Sequence, residues 1–135
     1  MSDAPRILDR LKRQQDKYRE MVAVVSSQRS VFASMDVDAI LGLIERKRAI
    51  LADVDGIEAE LAPLKADWGA VRSAFTADEA REIQSTLDGT QQVLQELVGL
   101  EDEGRALLEK RCEAKSASLD ALMNQNRARG AYGAR

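Results

Sequence analysis

Residues 37–75 read VDAILGLIERKRAILADVDGIEAELAPLKADWGAVRSAF. Apolar side chains fall at Val37, Ile40, Ile44, Leu51, Val54, Ile57, Leu61, Leu64, Trp68, Val71 and Phe75. Gaps of three and four, with one of seven across Lys47, draw a single stripe along a helix. Two successive gaps of three, at 51-54-57, shift its phase and argue against a straight, uninterrupted seam. Leu51 lies well inside the stripe, which predicts a central core position. A stripe this long needs other long helices laid alongside it. The expected fold is all-α: an elongated antiparallel helical bundle of three long helices. Its faces and grooves suit protein partners better than catalysis.

Upstream, Asp3 and Pro5 mark a helix start. Leu8, Leu11, Tyr18, Val22, Val25 and Phe32 make a weaker stripe to about residue 32, interrupted by Gln15 and Arg29. Asp36 is a good N-cap for the second helix. Pro63 predicts a kink or break near 60–62, because it removes a backbone hydrogen bond at a cost of about 3 kcal/mol. Downstream, Thr76-Ala77-Asp78-Glu79 is a capping box that opens the third helix. Its inner face is expected to carry Ile83, Leu87, Leu94, Leu97, Leu108, Cys112, Leu119 and Leu122. Gly89, Gly99 and Gly104 each weaken it by roughly 1 kcal/mol relative to alanine. A break across Gly99–Gly104 would make four helices of three. After Asn124 the composition turns to Asn, Arg, Gly and Ala. One bundle domain over 1–126 and a flexible tail over 127–135 follow.

Composition supports this architecture. The 135 residues are 44% hydrophobic and 32% charged, with five aromatics and two prolines, which favours helices over sheet. Charge is laid out unevenly, with basic ends around an acidic middle. Residues 1–35 are net +3, 36–75 net −3, 76–109 net −7 and 110–135 net +4. Acidic starts and basic ends suit helix dipoles, and the remainder suits matching between neighbouring helices or with a partner. The basic ends are laced with acids, so no face is basic enough for nucleic acid. No apolar run approaches the ~18 residues of a membrane span, and the first 25 residues lack a signal-peptide core. Cys112 is alone, so no internal disulfide forms, and a cytoplasmic location is expected.

Catalysis finds little to work with. There is no histidine, which removes the usual general base, the commonest zinc ligand and every Ser-His or Cys-His arrangement. Cys112 has Lys110, Arg111 and Lys115 nearby but reads as a small core residue. The carboxylates of 101–103 and of 78, 79 and 82 point in different directions on a helix, as a solvated face does. No enzyme activity, metal or cofactor is expected. Length suggests a binding surface instead. Helices of about 29, 38 and 50 residues span roughly 43, 57 and 75 Å, so the third overruns the second by about 18 Å. That overhang falls near 115–126 and would expose Leu119, Leu122 and Met123 as an interaction site.

Residues 28–40, QRSVFASMDVDAI, lead into LIERKRAIL at 43–51. This is similar to the FlgN family of flagellar type III export chaperones. Glu45, Lys47, Ile50 and Leu51 fill the family's Glu-x-Lys segment and aliphatic pair, and Val54, Ile57 and Leu61 fit its leucine-rich continuation. Asn124-Gln125-Asn126 and Tyr132-Gly133 resemble the family's ending. The resemblance implies a cytoplasmic chaperone without cofactor or nucleotide. It would bind the C-terminal helical segments of the two hook–filament junction proteins, secreted hook-associated proteins. It would prevent their premature assembly and deliver them to export apparatus components. An amphipathic substrate segment would then pack on Leu119, Leu122 and Met123, with Tyr132 as a clamp. The alternative is a structural coiled-coil adaptor or homo-oligomeric scaffold whose seam uses the same residues.

Overall fold

Helix starts are the most local decision this chain makes, and side-chain caps make two of them. In a computed structural model that describes residues 3–133, with the side chains of 115, 118 and 125–133 outside that description, the chain is all-α. The helices are α1 (Ala4–Ser26), α2 (Gln28–Ser34), α3 (Val37–Lys65), α4 (Trp68–Ser73) and α5 (Ala77–Gly133). Asp36 caps α3 by accepting from the backbone N–H groups of Asp38 and Ala39 at 3.0 and 3.3 Å. The capping box at α5 is complete. Thr76 N–H donates to Glu79 Oε1 at 2.9 Å, and Glu79 N–H donates to Thr76 Oγ1 at 3.1 Å.

The first helix does not run unbroken to residue 32. Ser26 and Ser27 hydroxyls donate to the carbonyls of Val22 and Val24 at 2.7 and 2.6 Å. Such back-bonding competes with the helical ladder and bends it, and α1 yields to α2 at Ser27. Met35 then ends α2 in the left-handed region, φ 56°, which costs a non-glycine residue roughly 1–2 kcal/mol.

Pro63 acts later than expected. The helix continues through it to Lys65 and breaks at Ala66-Asp67, rather than near 60–62. Leu61 and Leu64, on either side of the proline, are buried with Ile7, Leu11, Ile57 and Ile83, and this packing holds the turn helical. Trp68, Val71 and Phe75 pack on the same cluster. The Trp68 and Phe75 rings meet edge-on, centroids 6.0 Å apart. The break considered across Gly99–Gly104 does not occur, and α5 is continuous there. A cost of about 1 kcal/mol per glycine is small beside the cooperativity of a long helix, and Leu97 and Leu100 pack against the Met21, Val25 and Ile50 cluster.

Contacts divide the chain into two units, Met1–Glu101 and Asp102–Arg135. In the first, α1 and α3 are antiparallel: Arg10 and Arg13 reach Glu60, while Lys17 reaches Asp53. The α5 portion runs parallel to α1, since Lys12 pairs with Glu82, Gln15 with Thr86 and Thr90, and Gln28 with Leu100. The expected up-down-up bundle is present. The boundary expected between 126 and 127 lies within α5, among residues whose side chains are outside the description.

Burial corrects the register of the stripes. The buried positions are Ala4, Ile7, Leu11, Gln14, Met21, Val25 and Gln28 in α1–α2, and Leu43, Ile50, Val54, Ile57, Leu61 and Leu64 in α3. With Tyr18 and Lys47 in the open places, both series alternate gaps of three and four without a phase shift. That is the 3.5-residue repeat of a left-handed coil. Ile50 is 4% exposed and Leu51 48%, so the central core residue of this turn is Ile50. Lys47 takes a seam position with its ammonium 2.6 Å from Glu101. Likewise Ile7 is buried rather than Leu8, and in α5 Ile83 and Thr90 are buried while Leu87 is exposed.

Candidate functional site

The unit Asp102–Arg135 carries the residues on which partner binding was expected. Leu119, Leu122 and Met123 are 60, 56 and 53% exposed. They occupy one turn of α5 at i, i+3 and i+4, so their side chains share a face. Leu108 and Cys112 are exposed as well. Leu119 follows Cys112 by one seven-residue repeat, and Leu122 follows Leu108 by two, so these four stand on neighbouring lines. The inner-face placement of Leu108 and Cys112 therefore does not hold, and the Cys112 thiol meets solvent rather than core. Tyr132, the fourth expected contact, has a side chain outside the described residues, although the α5 backbone continues past it to Gly133.

Exposed charges interrupt this line instead of lining a pocket. Glu109, Lys110, Glu113 and Asp120 are all exposed. Arg105 approaches Asp102 only to 3.9 Å, an exposed pair of little energetic weight. The surface consists of branched aliphatic carbon and one polarizable thioether, which adapt to an incoming apolar stripe. Among the described residues no group of three or more His, Cys, Asp and Glu side chains is placed to hold a metal ion. No described helix is long and apolar enough to cross a membrane.

The first unit holds polar residues that hydrophobic periodicity passes over. Gln14, buried in the α1 seam, donates to Glu58 Oε1 of α3. Tyr18, one turn on, has its hydroxyl pKa raised above the ordinary 10.0 by burial first, then by Glu58 and Asp55. Hydrogen bonds that the Lys17 ammonium donates to Asp53 and then to Glu20 raise its pKa above the ordinary 10.5. Seven-residue spacing was the signal that could have found Gln14 and Gln28. Both fall on seam positions that their polarity hides.

The sequence model of the family described as FlgN protein matches residues 1–135, the whole chain. No curated protein and no solved structure matches it.

Proposed function

The chain belongs to the FlgN family, flagellar export chaperones that are not enzymes, and from that premise we propose that it guards the C-terminal helical segments of the hook–filament junction proteins. The observation that supports this reading is the exposure of Leu119, Leu122 and Met123 on one turn of α5. An amphipathic substrate segment covers them in helix-in-groove fashion. The segment thereby hides the apolar stripe with which it would otherwise assemble early. Release at the export apparatus, from the cytoplasmic side, completes the cycle.

Magnitudes limit how small the contact can be. Fully burying a Leu or Met side chain is worth about 1.5–3 kcal/mol, and these three are already about half covered. Together they supply on the order of 3–5 kcal/mol, which corresponds to roughly millimolar binding before ordering costs. A useful chaperone needs more. The bound segment therefore extends along the line toward Leu108, with Tyr132 closing over the far end.

Calorimetric titration against a C-terminal junction-protein segment tests the proposal. Leu119→Asp with Leu122→Asp is expected to keep the wild-type thermal melt and abolish the binding heat, because both carboxylates would be buried without partners. A folded double mutant that binds as tightly as wild type overturns the assignment. A stable homo-oligomer that the same pair dissociates would favour the scaffold alternative.

A further inference from the structure

The seam by which α5 packs in the first unit passes through Thr90, Leu97 and Leu100. The positions that follow each of these by one, Gln91, Val98 and Glu101, open a second face about 100° round the helix. Leu87 and Leu94 extend it toward the start of α5, and Arg105, Leu108, Cys112 and Leu119 toward the end. The gaps alternate three and four, with one of seven before Leu119, so this face has the period of a coiled-coil seam. Packing within the chain leaves it open: Val98 is 58% and Leu119 60% exposed, and Leu87, Leu108 and Cys112 are exposed too. From Leu87 to Leu119 it runs about 48 Å along one continuous helix.

The two charges on this face decide what can cover it. A parallel second copy in register would set Glu101 on Glu101 and Arg105 on Arg105, two like-charge contacts. An antiparallel copy centred midway between 101 and 105 does the opposite. Glu101 then meets Arg105 of the second copy, Val98 meets Leu108, Leu94 meets Cys112 and Leu87 meets Leu119, each contact occurring twice. A slip of one seven-residue repeat spoils this, setting Arg105 against Leu94 in one direction and against Leu108 in the other. The flanking charge agrees, since residues 76–109 are net −7 and 110–135 net +4. Antiparallel pairing lays each copy's basic end along the other's acidic stretch. Glu101 accepts from Lys47 at 2.6 Å yet stays 37% exposed. The Arg105 side chain is 71% exposed, 3.9 Å from Asp102.

We propose that two copies of this chain pair reversibly and antiparallel through this face of α5, with Glu101 of each beside Arg105 of the other. The contact is self-complementary, as a two-fold interface requires. It gives the empty protein a cover for an apolar line that would otherwise stay in water. Leu108 and Leu119 are shared with the partner line described above, so an incoming segment opens the pair. That competition rests on the proposed function, whereas the pairing itself does not.

Sedimentation equilibrium of the intact chain between about 1 and 100 μM is expected to show a monomer–dimer equilibrium. Arg105→Glu sets two carboxylates together and is expected to weaken pairing about tenfold or more with an unchanged melt. Orientation is read by oxidation. Leu94→Cys is expected to give a disulfide-linked dimer through Cys112 of the second copy. The wild type is expected to link far more slowly, because the two Cys112 thiols lie about 27 Å apart along the antiparallel pair. If Leu94→Cys unfolds, Val98→Cys with Leu108→Cys in a Cys112→Ser background decides by the same gel. A monomer at every concentration, pairing indifferent to Arg105→Glu, or wild-type linkage as fast as that of Leu94→Cys overturns the proposal. Calorimetry separates it from the function above. Arg105→Glu is expected to bind a junction-protein segment at least as tightly as the wild type. If the wild type pairs as described but neither form binds the segment, the proposed function fails and the pairing stands.

Discussion

Gln28, buried at the first position of α2, donates its side-chain amide to the backbone carbonyl of Leu100 in α5 at 2.7 Å. The bond links two helices that are 72 residues apart in sequence, at the level where Met21, Val25 and Ile50 pack with Leu97 and Leu100. Gln28→Ala is expected to lower stability by about 1–2 kcal/mol, since the hydrogen bond of a buried side chain is lost. Gln28→Met restores volume and is expected to recover part of that loss. Urea midpoints at constant slope measure both. A midpoint for Gln28→Ala equal to wild type would show that water replaces the amide.

The register of α3 makes a sharp contrast between neighbours. Ile50→Ala removes a buried side chain from the Met21 and Val25 cluster, and is expected to cost about 2–5 kcal/mol. Leu51→Ala is expected to cost less than about 1 kcal/mol, because half of that side chain already meets solvent. Thermal and urea unfolding of the pair separate the two registers. Equal losses would mean that both residues share the core.

Two glycines of α5 should answer alanine differently. A Cβ at Gly99 meets nothing within 4 Å, so Gly99→Ala is expected to gain about 0.5–1 kcal/mol from backbone entropy. A Cβ at Gly89 would stand 2.7 Å from the Gln15 amide nitrogen. That nitrogen donates to Thr86 O at 3.0 Å and to Thr90 Oγ1 at 3.2 Å. Gly89→Ala is therefore expected to gain less than Gly99→Ala, or to lose stability. Melting temperatures of the two variants settle their order.

Alkaline titration tests the α1–α3 contact. Tyr18 and Lys17 both have pKa values raised in the folded state, the first by burial and the second by hydrogen bonds to Asp53 and Glu20. A raised value means that the folded chain holds the proton more tightly than the unfolded chain. The stability this confers is complete below the ordinary values near 10.0 and 10.5, and it is lost as pH rises through the folded values. Unfolding midpoints are therefore expected to fall between about pH 10 and 12, and less steeply in Tyr18→Phe. Identical pH profiles for wild type and Tyr18→Phe would remove Tyr18 from this account.

What could be read from residues alone follows the range of the interaction involved. Asp36 and the Thr76–Glu79 box need only three or four adjacent residues, and both caps form as their spacing implies. Choosing Ile50 over Leu51 requires knowing what stands opposite, because both are apolar. Hydrophobicity points the wrong way where the seam is polar: Gln14, Gln28, Lys47 and Thr90 hold seam positions because they find partners on other helices. The effect of Pro63 depended on Leu61 and Leu64 being clamped by α1 and α5, which no local rule contains. At the candidate site, Leu119, Leu122 and Met123 are exposed, whereas Leu108 and Cys112 carry the same periodic signal as a core and are not one.

Polar partners fixed at seven-residue intervals also constrain how a chain like this can change length. Deleting one residue inside α1 rotates everything beyond it by about 100° around the helix axis. Gln28 would then swing away from Leu100 while Ser26 and Arg29 turned inward. Removing a full repeat of seven restores the facing residues almost to their old azimuth. Insertions and deletions among natural variants should therefore come in sevens within α1, α3 and the first part of α5. Single-residue changes should gather at Ser27, Met35-Asp36, Ala66-Asp67 and Ala74-Phe75, where the helices are already interrupted.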